Sequence, residues 1–178
     1  LRIAINGYGR IGRSVLRALY ESNARQWLQV VAINEPAEAK TIAHLTRYDS
    51  THGRFPGVVE LAENVLLVNG DAIKLCHHQN LRDLPWKEHK IDVVLECSGS
   101  FTDRATAEQH LNAGAKRVLF SQPAEPSVDA TIVYGVNHKT LTGNERIVSA
   151  ASCSTNCVVP VISVLDECFG VEGGVITT

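Results

Sequence analysis

Residues 2–6 read Arg-Ile-Ala-Ile-Asn, a short apolar run that passes directly into Gly7-Tyr-Gly-Arg-Ile-Gly12, after which Val15, Leu16, Leu19 and Tyr20 recur at helical spacing before Gln26. A buried parallel strand, a glycine turn and an amphipathic helix in this order leave few folds open. Gly7 suits the tight turn, Gly9 lets a ligand phosphate approach the backbone, and Gly12 lets the helix pack against the strand. Alone, this glycine spacing marks many ordinary turns. Placed between a strand and a helix, it predicts a βαβ unit that seats a dinucleotide pyrophosphate over the unpaired N–H groups and positive dipole end of the helix.

The next apolar run, residues 28–33, supplies the second strand, and Asn34-Glu-Pro36 closes it. An acid is expected here, about 20 positions beyond the glycines, to accept hydrogen bonds from the adenosine ribose. Glu35 fills that place, with Asn34 beside it as a second candidate contact. A carboxylate there repels the additional phosphate of NADP, which points to NAD. The competing role for Glu35 is structural, as a start signal for the following helix with Pro36 near its first turn.

A helix is predicted over 37–48, then a polar loop over 49–55, then short antiparallel strands over 58–61, 65–68 and 72–76 with Asn69-Gly70 as the hairpin turn. These strands read as a small insertion decorating the sheet. The run 91–97 is the next parallel strand, and its end, Ser98-Gly-Ser-Phe-Thr-Asp103, falls where open α/β sheets bind ligands. Ser98 and the Gly99 backbone are candidates for the cofactor ribose or phosphate, while Phe101 either offers a face to adenine or packs into the core. A helix over 104–113 stopped by Gly114, a strand over 117–120 and strands over 130–136 and 147–150 complete the pattern; Ser121 is a further candidate beside the cofactor. The fold class is therefore α/β. Residues 1–150 are expected to form a doubly wound, mostly parallel sheet, a Rossmann NAD-binding domain with a small antiparallel insertion. Residues 151–178 are expected to hold the first helix and strand of a truncated catalytic domain, since the chain stops inside the strand-like Gly174-Val-Ile-Thr-Thr178.

The stretch Ser149-Ala-Ala-Ser-Cys-Ser-Thr-Asn-Cys157 sets a cysteine among small hydroxyl residues, after a strand and before an apolar helical run. On the first turn of that helix the dipole favours a thiolate, so Cys153 is the candidate nucleophile; the competing role is that of a small buried hydrophobe. Cys157, one turn later, is expected to pack, and Pro160 predicts a local kink. Composition narrows the remaining classes. Hydrophobic residues make up 44% and charged residues 20%, and the net charge is −2, which gives no electrostatic reason to expect nucleic acid or an anionic membrane as partner. No apolar run approaches the ~20 residues that span a bilayer, and no signal-peptide pattern opens the chain, so a cytoplasmic protein is expected. The five cysteines are odd in number and lack zinc-ligand spacings, and the seven histidines are scattered, so reduced thiols and no metal site are expected.

Taken together, Ile5-Asn-Gly-Tyr-Gly-Arg-Ile-Gly-Arg13, Tyr48-Asp-Ser-Thr-His-Gly53, Gly114-Ala-Lys-Arg-Val118, Gly135-Val-Asn-His138 and Ala151-Ser-Cys-Ser-Thr-Asn-Cys157 resemble the phosphorylating glyceraldehyde-3-phosphate dehydrogenases and their close relatives, over essentially the whole chain. Within that family Asn34-Glu35, Leu84-Pro-Trp86, Val118-Leu-Phe-Ser121 and Asp129-Ala-Thr-Ile-Val-Tyr-Gly135 look closer to the erythrose-4-phosphate dehydrogenase branch. The resemblance implies that Cys153 is the catalytic cysteine, that Ser152 and Ser154 bind the phosphate or carbonyl region of the substrate, and that Arg10 and Ile11 give backbone contacts to the NAD pyrophosphate. It also implies a homotetramer for the full-length protein. Three positions depart from the family pattern. Ser154 stands where threonine is usual, which keeps the hydroxyl; Gln79 stands where a basic residue is common; and the family's catalytic histidine follows the Thr-Thr of its next strand, beyond Thr178. The expected reaction is NAD-dependent oxidation of a small phosphorylated aldehyde through a thiohemiacetal and a thioester on Cys153, released by water or phosphate. For these 178 residues alone the alternative is an NAD-binding module without turnover.

Overall fold

The structure, a computed structural model, describes residues 1–177. In chain order the elements are β1 (Arg2–Asn6), α1 (Arg10–Glu21), β2 (Gln29–Asn34), α2 (Ala39–Arg47), β3 (Tyr48–Asp49), β4 (Gly53–Arg54), β5 (Val59–Ala62), β6 (Val65–Val68), β7 (Asp71–Cys76), β8 (Val93–Glu96), α3 (Arg104–Asn112), β9 (Arg117–Phe120), β10 (Ala130–Thr131), β11 (Ile147–Ser149) and α4 (Cys153–Phe169). Among the described residues nine strands form one sheet in the order β10-β11-β9-β8-β1-β2-β7-β6-β5. Pairing is parallel from β10 through to β7 and antiparallel at β7-β6-β5. The sheet is doubly wound: the chain leaves β1 to one side for β2 and β7, then crosses back to the other for β8, β9 and β11. The switch between β1 and β8 opens a crevice at their carboxyl ends.

Both faces of this sheet are covered, which is why its central strands read as nearly continuous apolar runs. Ile3 and Ile5 of β1 meet Leu16 and Leu19 of α1 and Ile42 of α2 on one face, while Ala4 meets Val94 of β8, Ile91 and Trp86 on the other. A smaller cluster of Ala107, Val118, Phe120 and Ile147 fixes α3 over β9 and β11. Arg17 of α1 donates to the backbone carbonyls of His52, Gly53 and Arg54, so the polar loop expected over 49–55 is fastened to α1 and turns through the two-residue ladder of β3 and β4.

The antiparallel insertion is present and extends the main sheet, because β7 is itself the parallel neighbour of β2. Three expectations change. The strand expected over 130–136 stops at Thr131: Asn137 then takes the Val133 N–H and donates to the Thr131 carbonyl, closing a turn with Gly135 at φ +94°. Helix α4 contains Pro160, and none of its described side chains is buried, so Cys157 is exposed rather than packed. Residues 170–177 carry no strand, and the last residue of the strand-like run, Thr178, lies outside the described residues.

Candidate cofactor cleft and nucleophile

The glycine turn is built by close approach. Gly7 has φ +87°, and a Cβ there would overlap the backbone of Ser98; a Cβ on Gly12 would overlap the Gly7 carbonyl oxygen, so α1 can sit against β1 only with glycine at that position. Gly9 is different. A Cβ at Gly9 would meet nothing within 4 Å, so its smallness leaves open space above the turn. The first intrahelical bond runs from Arg13 N–H to Gly9 carbonyl at 3.2 Å, which leaves the N–H groups of Arg10, Ile11 and Gly12 ahead of the helical ladder. The Arg10 side chain turns away toward Asp49 and Ser50, and Ile11 is half exposed.

A cleft of about 420 Å³ opens beside this turn, at the carboxyl ends of β1, β2 and β8. Of the residues expected at a cofactor, Gly7, Gly9, Asn34, Glu35, Ser98 and Phe101 line it; Gly12, Arg10 and Ile11 form the helix start beside it, Gly99 is exposed on the adjoining loop with φ +73°, and Ser121 lies outside the lining. The Glu35 carboxylate accepts from Tyr8 N–H at 2.7 Å and from Ala37 N–H at 3.3 Å. One side chain therefore joins the end of β2 to the glycine turn and also shapes the entry to α2, whose N-cap is Glu38. Phe101 packs one side against the core clusters and presents the rest to the cleft. Ser121 donates to Gln122 Oε1 at 2.8 Å.

Asn6, Glu96, His78 and Gln122 were not signalled by local pattern. Asn6 lines the cleft, and its amide nitrogen donates to the fully buried Glu96 carboxylate at 2.6 Å. Burial alone pushes this carboxyl toward protonation, yet hydrogen bonds from His110, Ser98 and Asn6 outweigh it and hold Glu96 below its usual range. The backbone of His78 fixes the Asn34 amide, and Gln79, the departure from the family's basic residue, lines the cleft next to it. Cys97 also lines the cleft, with burial pushing its thiol up to about 11 against a hydrogen bond from Ser121; burial raises Cys76 as well. Neither is a thiolate at neutral pH.

Cys153 is exposed on the first turn of α4. Its neighbour Ser152 is the N-cap: Ser152 Oγ accepts from Thr155 N–H at 3.0 Å and lies 3.1 Å from the Ser154 hydroxyl. The N–H groups of Cys153 and Ser154 remain ahead of the helical ladder. Ala151, buried and at φ +59°, turns the chain into the helix, and the Asn156 amide braces that turn on the Ala150 and Ser152 carbonyls. Gln122 joins the two regions, since its carbonyl accepts from Ser149 at the end of β11 and its amide donates to the Phe101 carbonyl on the cleft wall. Because β1, β2, β8 and β11 all run in one direction, the cleft and Cys153 share the same edge of the sheet.

A doubly wound parallel sheet, a glycine turn with space above Gly9 and an acid at the end of the second strand are the features of the dinucleotide-binding fold class. Residues 1–104 match the family model described as glyceraldehyde 3-phosphate dehydrogenase, NAD binding domain, and the chain belongs to that family. NAD is thus its cofactor, a small molecule its substrate, and NAD-dependent oxidoreduction its class of chemistry. No helix among the described residues is long and apolar enough to cross a membrane, and no group of three or more His, Cys, Asp or Glu there is arranged to hold a metal ion.

Proposed function

We propose that this chain binds NAD in the cleft of β1, β2 and β8 and that the natural protein it belongs to oxidises a small phosphorylated aldehyde through Cys153, with erythrose 4-phosphate ahead of glyceraldehyde 3-phosphate. The observation that carries the reading is the exposed Cys153 thiol at the start of α4, on the same sheet edge as the cleft, with Gln122 linking Ser149 at the end of β11 to Phe101 on the cleft wall. In this reading the N–H groups of Arg10, Ile11 and Gly12 receive the pyrophosphate, with Gly7 and Gly9 giving it access; Glu35 and Asn34 border the ribose, Phe101 the adenine, and Ser98, Gly99 and Ser121 the remainder of the dinucleotide. The Cys153 thiolate adds to the aldehyde carbon and gives a thiohemiacetal, whose oxygen is held by the N–H groups of Cys153 and Ser154. Ser152 and Ser154 hold the carbonyl or phosphate region. NAD, when bound, supplies the acceptor for the hydride lost from that carbon. The carbon becomes a thioester on Cys153, and attack by water or phosphate restores the thiol.

The erythrose 4-phosphate preference is supported by Asn34-Glu35, Leu84-Pro-Trp86 and Val118-Leu-Phe-Ser121. The domain division at residue 150, a homotetramer and a cytoplasmic location belong to the same proposal. No histidine is hydrogen-bonded to the Cys153 thiol among the described residues, which supports a second reading for these 178 residues alone, binding of NAD without turnover. The test is NADH formation by the natural protein with each aldehyde in turn. Turnover that is faster with erythrose 4-phosphate and abolished by Cys153→Ser is expected; no turnover with either aldehyde while Cys153 is intact contradicts the reading. Appreciable turnover by the 178 residues contradicts the second reading.

A further inference from the structure

The carboxyl ends of the three central strands are joined by a file of side-chain hydrogen bonds beneath the cleft, and its direction can be read from both ends. At one end the His78 backbone fixes the Asn34 amide: Asn34 Oδ1 accepts from the His78 N–H at 2.9 Å, and Asn34 Nδ2 donates to the His78 carbonyl at 3.0 Å. Asn34 Nδ2 also donates to Asn6 Oδ1 at 2.8 Å, which leaves Asn6 Nδ2 to donate to Glu96 Oε2. At the other end Trp86 Nε1–H, a group that can only donate, meets His110 Nδ1 at 3.0 Å. The proton of the neutral His110 ring is therefore on Nε2, 3.0 Å from Glu96 Oε2. Ser98 gives both its backbone N–H and its hydroxyl to Glu96 Oε1.

Glu96 thus faces four donors, of which the Ser98 hydroxyl alone is able to reverse, and His110 brings no charge to balance it. Glu96, His110 and Trp86 are all fully buried. A sealed carboxylate without a counter-ion is a costly way to build the end of a strand. Its arrangement accounts for that cost, because one oxygen holds the residue that enters the glycine turn and the other holds the residue on the facing wall.

We propose that Glu96 is a positioning residue for the dinucleotide, setting the separation between Asn6–Gly7 and Ser98 that NAD binding requires. Gly7 stands against the Ser98 backbone with no room for a Cβ, so a displacement of Ser98 is passed directly to the glycine turn. Trp86 and His110 keep the carboxylate supplied with a donor, and neither lines the cleft. The inference rests on the cleft being the NAD site, which titration of the unaltered chain tests separately.

Glu96→Gln keeps the shape but turns an amide N–H toward groups that can only donate. Calorimetry on folded Glu96→Gln, well below its unfolding temperature, is expected to give an NAD Kd raised about tenfold. In a double-mutant cycle with Ser98→Ala the two losses of affinity are expected to be less than additive, an outcome that a purely structural role does not produce. Nitrogen-15 NMR of the unaltered chain is expected to find His110 neutral and protonated on Nε2. An unchanged Kd, additive losses, or a His110 ring protonated on Nδ1 overturns the proposal. If Glu96→Gln does not fold, Trp86→Phe replaces it, with a Kd raised about threefold expected and an unchanged Kd contradicting.

Discussion

The glycines of one short motif do different work, and single substitutions separate them. Gly7→Ala places a Cβ into the Ser98 backbone at a φ of +87° that L residues avoid, so it is expected to lose about 3 kcal/mol or more of stability. Gly9→Ala meets nothing and keeps an extended backbone. Its Tm should match the parent, while on the proposed NAD site the Kd rises on the order of tenfold, because the added methyl enters the open space above the turn. Thermal denaturation and NAD titration on both variants check this; a Gly9→Ala protein that binds NAD as tightly as the parent contradicts it. Legibility at this scale followed distance along the chain. The local settings of Gly7, Gly9, Gly12, Glu35 and Cys153 are readable because strand, turn and helix signals lie next to them. Glu96 reads as a stray acid in an apolar run, because its partners Asn6 and His110 lie 90 and 14 positions away.

Elements were legible where their own periodicity governs them and less so where a side chain replaces a ladder. Strands β1, β6 and β9 fall where the apolar runs place them, and α3 begins at Arg104 as expected. The shortened β10 was not legible: its pattern is strand-like, yet it lies at the sheet edge, where Asn137 supplies the hydrogen bonds that a neighbouring strand would. The exposure of α4 was equally hidden, because an apolar helix gives no sign in sequence of what it packs against. Helix α3 offers a direct check on local energetics. Asp103 caps it, with Oδ1 accepting from Thr106 N–H at 2.8 Å and Oδ2 from the Thr106 hydroxyl at 2.7 Å. Asp103→Ala should cost about 1 kcal/mol, read from denaturant unfolding; no change would show that the cap contributes nothing.

At the scale of the molecule, carboxylates hold loops that the sheet itself does not reach. Backbone N–H groups of His52 and Thr51 bring Asp49 down to about 2, and those around Thr142 do the same for Glu145. Arg104, opposed by burial and aided by backbone bonds, lowers Asp129. In the unfolded chain such carboxyls take up protons near pH 4. Between that pH and about 2 the unfolded state binds more protons than the folded one, so stability present above about pH 4 is lost as pH falls. Tm should decline through that window, less steeply in Asp49→Asn; a Tm independent of pH there contradicts the assignment.

The topology also decides what the molecule can do. Crossing back from β7 to β8 opens a cleft at one edge of a parallel sheet, and the same edge carries the start of α4 with Cys153. The central claim is that this cleft is the NAD site and that Glu35 at its border selects against an additional ribose phosphate. Calorimetric titration of the chain with NAD and with NADP tests it most directly. NAD should bind one to one, and NADP more weakly by about tenfold or more. Equal affinity for the two, or no binding of either by the folded chain, would contradict the account.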